Sequence, residues 1–273
     1  MISVRFLGTG GARFVVAKQI RASGGMWFTF APDSENDGPR TQIHVDPGPG
    51  ALVRALSAVP PCEPAELDAL VLSHKHLDHA GDVNAMIEAM TQGGWKRRGA
   101  LLAPLDAFEG EPVIFPYAAR FVATRHVVEQ RSGPYDVNDV AIRSGVRHLH
   151  GVETYGYHFT YRGTTVSYLP CGRYFEGLAE DYAAHRPDVL IVNVLLYRGA
   201  PNVDHLHFEQ AREIFAHVRP KVGVMTHFST KMLEQGPERL ASALEDELGI
   251  RMYAARDGWL LDATTEIAAS AGV

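Results

Sequence analysis

An α/β fold is the class this sequence predicts, and three observations predict it. First, apolar runs of strand length, Leu70-Val71-Leu72 and Val189-Leu190-Ile191-Val192, are each followed by apolar residues at helical spacing. Val83, Met86, Ile87 and Met90 follow the first run at i, i+3, i+4 and i+7, and Phe208, Ala211, Phe215 and Val218 follow the second. Second, strands run into residues that ligate metals: Leu72 into His74, Val146 towards His150, Leu169 into Cys171, Met225 into His227. In α/β sheets the working edge lies beyond the strand ends, where loops converge. Third, 273 residues at 46% hydrophobic are ample for a large core. No linker and no period of internal repetition stands out, so residues 1–273 are expected to form one domain.

The elements follow in order. Ile2, Val4 and Phe6 alternate with polar residues as a strand, closed by a turn at Gly8-Thr9-Gly10-Gly11. That Gly-x-Gly lacks the acidic partner a dinucleotide site needs after a βαβ unit. Met26 to Phe30 and a strand through Ile43 and Val45 are expected to pair as an antiparallel hairpin around a turn-rich loop, 31–40. The second strand ends in Asp46-Pro47-Gly48-Pro49-Gly50, and a short helix follows through Leu52, Ala55 and Leu56. Residues 68–72 form a buried strand, and the helix after it stops at Gly93-Gly94.

Between 100 and 140, short runs at Leu101-Leu102-Ala103, Val113-Ile114-Phe115 and Arg125 to Val128 are interrupted by Pro104, Pro112, Pro116 and Gly133-Pro134, which reads as strands with long loops. Val140 and Ile142 lead towards His148-Leu149-His150. Tyr157 to Tyr161 and Thr165 to Leu169 flank an Arg162-Gly163 turn as a hairpin. A helix over 176–185 precedes the strand at 189–192. Val222 to Met225 is a further strand, ending in Thr226-His227. Leu233, Leu240, Leu244 and Leu248 set the inward face of one long final helix, and strands near 251–253 and 258–262 close the chain.

Composition excludes several classes. The net charge of −6 offers no broad basic face for nucleic acid, and Lys96-Arg97-Arg98 reads as a solvated loop. No apolar run reaches membrane-spanning length. The first residues alternate like a strand and lack the plan of a signal peptide. Two cysteines, Cys62 and Cys171, make no disulfide framework, so a cytoplasmic location is the expectation. Cys62 lies in a proline-rich loop and receives no function.

The chemistry collects at Ser73-His74-Lys75-His76-Leu77-Asp78-His79. Imidazole and carboxylate ligate zinc or manganese, and three imidazoles with one carboxylate occur here within six positions. In extended backbone, positions 74, 76 and 78 share one side. His79 then begins a helix and is aimed from another direction. Among the 13 histidines, His148, His150, His205, His207 and His227 also lie at strand ends or in loops. Each alone reads as a core or solvated residue; the set reads as one metal site.

These residues carry a resemblance. Asp46-Pro47-Gly48-Pro49-Gly50, His74-x-His76-x-Asp78-His79, His150 and Thr226-His227-Phe228-Ser229 resemble the motifs of the metallo-β-lactamase superfamily, binuclear metallohydrolases with a four-layer αβ/βα sandwich. His150-Gly-Val-Glu-Thr154-Tyr-Gly156-Tyr157 looks like the branch that holds the phosphodiesterase of carbon–phosphorus lyase operons and the tRNA endonuclease RNase Z. The resemblance implies His74, His76 and His150 around a first metal and Asp78, His79 and His227 around a second. It implies Asp46 as the partner that orients a ligand histidine, and it favours His150 over His148. Zn²⁺, as one or two ions, is the implied cofactor, with Mn²⁺ or Fe as the other metals such donors admit.

One position departs from the branch. Its metal-bridging aspartate is replaced by Cys171, in Leu169-Pro170-Cys171-Gly172. Cys171 reads either as a small buried residue or as a thiolate ligand, and a thiolate favours zinc. The substitution leaves open whether one ion or two bind.

A divalent ion lowers the pKa of bound water to roughly 7, so hydroxide is available at neutral pH. Asp78 is placed to orient that water. The resemblance selects His205 as general acid, by its spacing from Ala211, with His207 as a helix cap or an exchange partner in that role. Arg173, Tyr174 and Arg198 follow strand ends as candidate substrate contacts. The function expected is a metal-dependent hydrolase acting on phosphodiesters, cyclic ones included, with small-molecule substrates. Hydrolysis of carboxylic esters or lactones is the alternative within the same chemistry, and a non-catalytic metal or thiol sensor built on Cys171 is the alternative outside it. A homodimer is the general expectation for a soluble oligomer.

Overall fold

The first half of the chain builds one sheet and the second half builds another. The computed structural model describes residues 1–32, 34 and 38–270. The first half contains β1 (Ile2–Phe6), α1 (Ala12–Ala17), β2 (Met26–Phe30), β3 (Thr41–Val45), α2 (Ala51–Leu56), β4 (Ala69–Val71), α3 (Leu77–Ala80), α4 (Val83–Thr91), β5 (Ala100–Pro104) and β6 (Thr124–Val128). The second half contains β7 (Tyr135–Val137), β8 (Val140–Arg147), β9 (Tyr155–Tyr161), β10 (Thr164–Leu169), α5 (Leu178–Ala184), β11 (Val189–Asn193), α6 (Phe208–Val218), β12 (Val222–Thr226), α7 (Thr230–Glu234), α8 (Pro237–Leu248), β13 (Arg251–Ala254), β14 (Leu260–Asp262) and α9 (Ala263–Ser270).

Strand order in the first sheet is β14-β1-β2-β3-β4-β5-β6, and in the second β13-β12-β11-β10-β9-β8-β7. The late strand β14 crosses back to pair with β1, Val4 opposite Leu261. Each sheet joins an antiparallel part to a parallel part. β3 to β6 run parallel, as do β10 to β13. Parallel strands end on the same edge of their sheet, which is why ligand residues far apart in sequence are delivered to one place.

Alternation along the strands decides the layers. In β4, Ala69 and Val71 enter the core between the sheets, while Leu70 faces outward onto α2 and α4. In β11, Val189 and Ile191 face that central core and Leu190 and Val192 face α5, α6 and α8. Phe28 and Phe159 close the gap between sheets, their ring centroids 4.8 Å apart. The result is the four-layer αβ/βα sandwich.

Several expectations need correction. α1 follows the expected turn at 8–11 and was not anticipated, for it carries no side-chain cap and is only six residues long. Val113-Ile114-Phe115 forms no strand. The long final helix is broken at Gly236-Pro237, where Gly236 takes φ +69° and Pro237 starts α8, and α9 comes later still. Asp78 belongs to α3 with His79, so the extended-chain argument for positions 74, 76 and 78 fails at its last member. Of the expected loop 31–40, positions 33 and 35–37 lie outside the described residues. No helix among the described residues is long and apolar enough to cross a membrane.

Candidate metal centre

The centre begins with a buried carboxylate at the end of β3. Asp46 Oδ1 accepts from the Ser73 amide at 2.7 Å, and Oδ2 accepts from Ser73 Oγ at 2.6 Å, His79 Nδ1 at 2.9 Å and Tyr168 Oη at 2.9 Å. Its φ of +54° is uncommon for a residue with a side chain. Such a conformation persists where surrounding contacts over-determine it, and these four do. Gly48 explains the turn that follows. A Cβ there would lie 2.0 Å from the Asp78 carbonyl and 2.1 Å from that of Ser23, so only glycine lets α3 dock on this turn.

β4 leads into the loop that carries the first group of donors. His74 Nδ1 meets Ser73 Oγ at 2.9 Å, and its Nε2 is buried with no hydrogen-bond partner. His76 Nδ1 faces His150 Nε2 at 3.0 Å, while His150 Nδ1 donates to the Asp204 carbonyl at 2.9 Å. One ligand atom from each of His74, His76 and His150 lies within 4.8 Å of the others.

The second group pairs α3 with the end of β12. His79 donates to Asp46 through Nδ1, which leaves Nε2 as its ligand atom. That Nε2 is 3.0 Å from His227 Nε2 and 3.6 Å from Asp78 Oδ2, and His227 Nε2 is 3.3 Å from the same oxygen. His227 also holds a left-handed backbone, φ +64°. Gly11 packs against it so closely that a Cβ would lie 2.4 Å from His227 Nδ1.

Cys171, at the end of β10, stands between the groups. Its Sγ is 3.5 Å from His79 Nε2, 3.7 Å from His227 Nε2 and 3.5 Å from Asn193 Nδ2. It forms one cluster with His74 and His79 and another with His150 and His205. Two donors each about 2.0–2.1 Å from a tetrahedral ion stand roughly 3.4 Å apart. The observed separations straddle that value, and the partnerless His74 Nε2 is the lone pair such an ion would use. The donor set therefore fits divalent metal.

The charge states of the groups differ. Burial lowers His74 well below the ordinary imidazole range, with neighbouring rings adding to the effect, and burial likewise lowers His76 and His150. Burial also opposes charge on His79 and His227, but it is outweighed. Asp78, Cys171 and Asp46 raise His79 well above its usual value, and Cys171 with Asp78 raises His227 to about 9. Against burial, His79 and His227 lower Asp78. Against burial, His227, His79 and His205 hold the Cys171 thiol well below its usual range.

The remaining predicted residues divide. The His205 ring lies 5.0 Å from that of His150 and lines the pocket with His74, His76, Asp78, His79 and Cys171. His207 is the N-cap residue of α6, its amide donating to Gln210 Oε1 at 3.3 Å, and it belongs to no donor group among the described residues. Arg173 is bound to Asp204 through Nε at 2.9 Å and Nη2 at 2.7 Å. Tyr174 packs against the outer core under α5 and α6, and the Arg198 guanidinium lies 5.7 Å from the Tyr197 ring centre. His148 is buried on the Cys171 carbonyl and Tyr182 Oη, away from the donor groups.

Sequence reasoning missed Ser73, Tyr168, Asn193 and the Asp204 carbonyl, which orient the donors. Ser73 was visible as the neighbour of His74; the others required the tertiary structure. A further group, His158, Asp181 and His185, has donors in range, but its two imidazoles stack 3.6 Å apart at 11°. One ion cannot lie in both ring planes, so that group does not fit a shared metal.

Comparison with known proteins agrees with this architecture. Residues 41–228 match the family model described as the beta-lactamase superfamily domain. An uncharacterized protein of Methanocaldococcus jannaschii is 29% identical over 94% of this chain and 93% of its own. A hydroxyacylglutathione hydrolase of Aeromonas hydrophila is 27% identical over 77% of this chain and 75% of its own. Among solved structures, the metallo-beta-lactamase fold protein YhfI of Bacillus subtilis superposes with a TM-score of 0.74 at 18% identity, covering 96% of this chain and all of that one. A diphosphatase from the PhnP family gives 0.67 at 20% identity, covering 95% and 96%. The short form of human tRNase Z gives 0.65 at 14% identity, covering 96% and 99%. The matched motifs, the sandwich and the family model agree that the chain belongs to the metallo-β-lactamase superfamily.

Proposed function

We propose that the protein is a metal-dependent phosphodiesterase acting on small molecules. The observation that carries this reading is the convergence of His74, His76, His150, Asp78, His79, His227 and Cys171 at one sheet edge, with His205 beside His150 and Cys171 on the same pocket. Bound divalent metal, zinc by preference with a thiolate present, would supply Lewis acidity and activate water near neutral pH. The chain's own residues do the rest. Asp46 holds His79 in the tautomer that presents Nε2, and the Asp204 carbonyl does the same for His150. Asp78, which lines the pocket, accepts a hydrogen bond from the attacking water through its carboxylate and orients it. His205 donates a proton to the departing alkoxide. His207 is given no part in this reading: its Nδ1 is buried, and it belongs to no donor group among the described residues.

Likeness to the PhnP-family diphosphatase and to tRNase Z supports phosphoester chemistry. Likeness to the hydroxyacylglutathione hydrolase favours a second reading, hydrolysis of carboxylic esters or thioesters at the same centre. The deciding experiment assays zinc- and manganese-loaded protein on nitrophenyl phosphodiesters, cyclic nucleotides, carboxylic esters and thioesters, with Asp78→Ala as control. Turnover of phosphodiesters that disappears in the control is expected. Turnover confined to esters or thioesters would replace the first reading with the second.

A further inference from the structure

The pocket above the centre is chemically two-sided. It encloses about 590 Å³, within the range small-molecule sites occupy. Its floor is the donor cluster. The rest of its lining is apolar: Val16 and Ala17 from α1, Pro49 from the β3 turn, and Leu77 at the start of α3. Leu77 is 73% exposed although it sits between two predicted ligands, His76 and Asp78. An apolar group that covers this side chain and its apolar neighbours removes their surface from water, which favours binding.

Charge around the pocket points the same way. Among the described lining residues none is lysine or arginine. Lys75 lies between two of the donors in sequence and Arg173 two residues after Cys171, and each is held by a carboxylate. Lys75 Nζ lies 3.7 Å from Asp106 Oδ2, and Arg173 is bound to Asp204. A phosphomonoester dianion or a nucleic-acid backbone is typically met by arginine and lysine. This pocket offers neither at its wall.

We infer that the substrate is a monoanionic diester with one apolar ester group, and that this alkyl or aryl group lies against Val16, Ala17, Pro49 and Leu77 while the diester faces the donor cluster. This rests on the phosphodiesterase reading for the nature of the ester but on the pocket's own walls for the apolar group. Val16 and Leu77 are then specificity-determining residues, and the polyanionic substrates of nucleic-acid enzymes are disfavoured.

The test measures binding and turnover separately on metal-loaded protein. Binding of dimethyl, dibutyl and dihexyl phosphate is followed by calorimetry, with inorganic phosphate as the dianion-rich comparison. Dibutyl phosphate is expected to bind about tenfold or more tightly than dimethyl phosphate. That ratio is expected to fall towards one in Leu77→Glu and, independently, in Val16→Asp. Circular dichroism and metal content confirm that each variant is folded and loaded. Affinity indifferent to chain length, a ratio unchanged in both variants, or inorganic phosphate binding more tightly than dibutyl phosphate would overturn the inference. Turnover is then read on methyl and butyl 4-nitrophenyl phosphate. Chain-length-dependent binding without turnover of either would leave the apolar wall standing and sink the phosphodiesterase reading.

Discussion

The half of the centre made by His74, His76 and His150 and the half made by Asp78, His79 and His227 hold equal numbers of donors, yet they are built differently. The first is all imidazole. Burial drives its rings toward the neutral form, and neutral groups orient two of them, the Ser73 hydroxyl and the Asp204 carbonyl. The second contains a carboxylate of its own and leans on another, Asp46, which is 2% exposed. Its rings are pushed toward the charged form. A carboxylate behind a ligand histidine raises its basicity more than a hydroxyl or carbonyl does. The second half is therefore the one in which carboxylates support the donors, and Cys171 lies within reach of both.

The comparison can be broken most severely at Asp78. Replacing it by alanine removes the one carboxylate donor and leaves His79 and His227 facing each other. Hydrolysis is expected to disappear, and elemental analysis is expected to find the variant short of roughly one ion per chain relative to the parent if both halves are loaded. Unchanged metal content would show that the second half is not a separate site.

His205 faces both halves without belonging to either triad. His205→Ala is expected to slow hydrolysis of a diester with an alkyl leaving group by about 10²–10⁴-fold, the range for general acid catalysis, and to spare the nitrophenyl ester. Equal losses on both substrates would remove the proton-donor role.

A smaller effect sharpens the contrast in support. Asp46→Asn is expected to weaken metal binding by about 10–100-fold, as loss of an orienting carboxylate does, while Ser73→Ala changes it less. Competition with a chromophoric chelator measures both, and the opposite ranking would mean that the first half dominates. With the parent protein the same titration is expected to show two stages, the all-imidazole half emptying first. The mildest change is Cys171→Asp. It keeps an anionic donor between the halves but replaces soft sulfur by hard oxygen, so the ratio of manganese to zinc affinity should rise. An unaltered ratio would place Cys171 outside the metal's reach.

Much of this was legible in the sequence, for identifiable reasons. His74, His76, Asp78 and His79 lie within six positions, so their spacing alone betrays shared chemistry. The buried strands announced themselves because parallel strands covered on both faces are apolar throughout. Helix α1 was not legible, since six residues with no cap carry too little periodicity. The long terminal helix was misread because Leu233 and Leu240 keep helical spacing across the break at Gly236-Pro237. Arg173 looked like a substrate contact by position, but Asp204, 31 residues later, engages it.

What the sequence determined by itself is the donor chemistry and the class of fold: which residues offer ligand atoms, which strands are buried, and that a thiol stands at the end of β10. Those are local properties, set by side-chain type and by periods of two and 3.6 residues. What only the tertiary structure decided is pairing and support: His76 with His150 across 74 positions, Tyr168 and Asn193 behind Asp46 and Cys171, and an apolar wall drawn from α1, α3 and the β3 turn. Such contacts join residues with no local relation, brought together because two sheets end at one edge and pack their inner faces against each other.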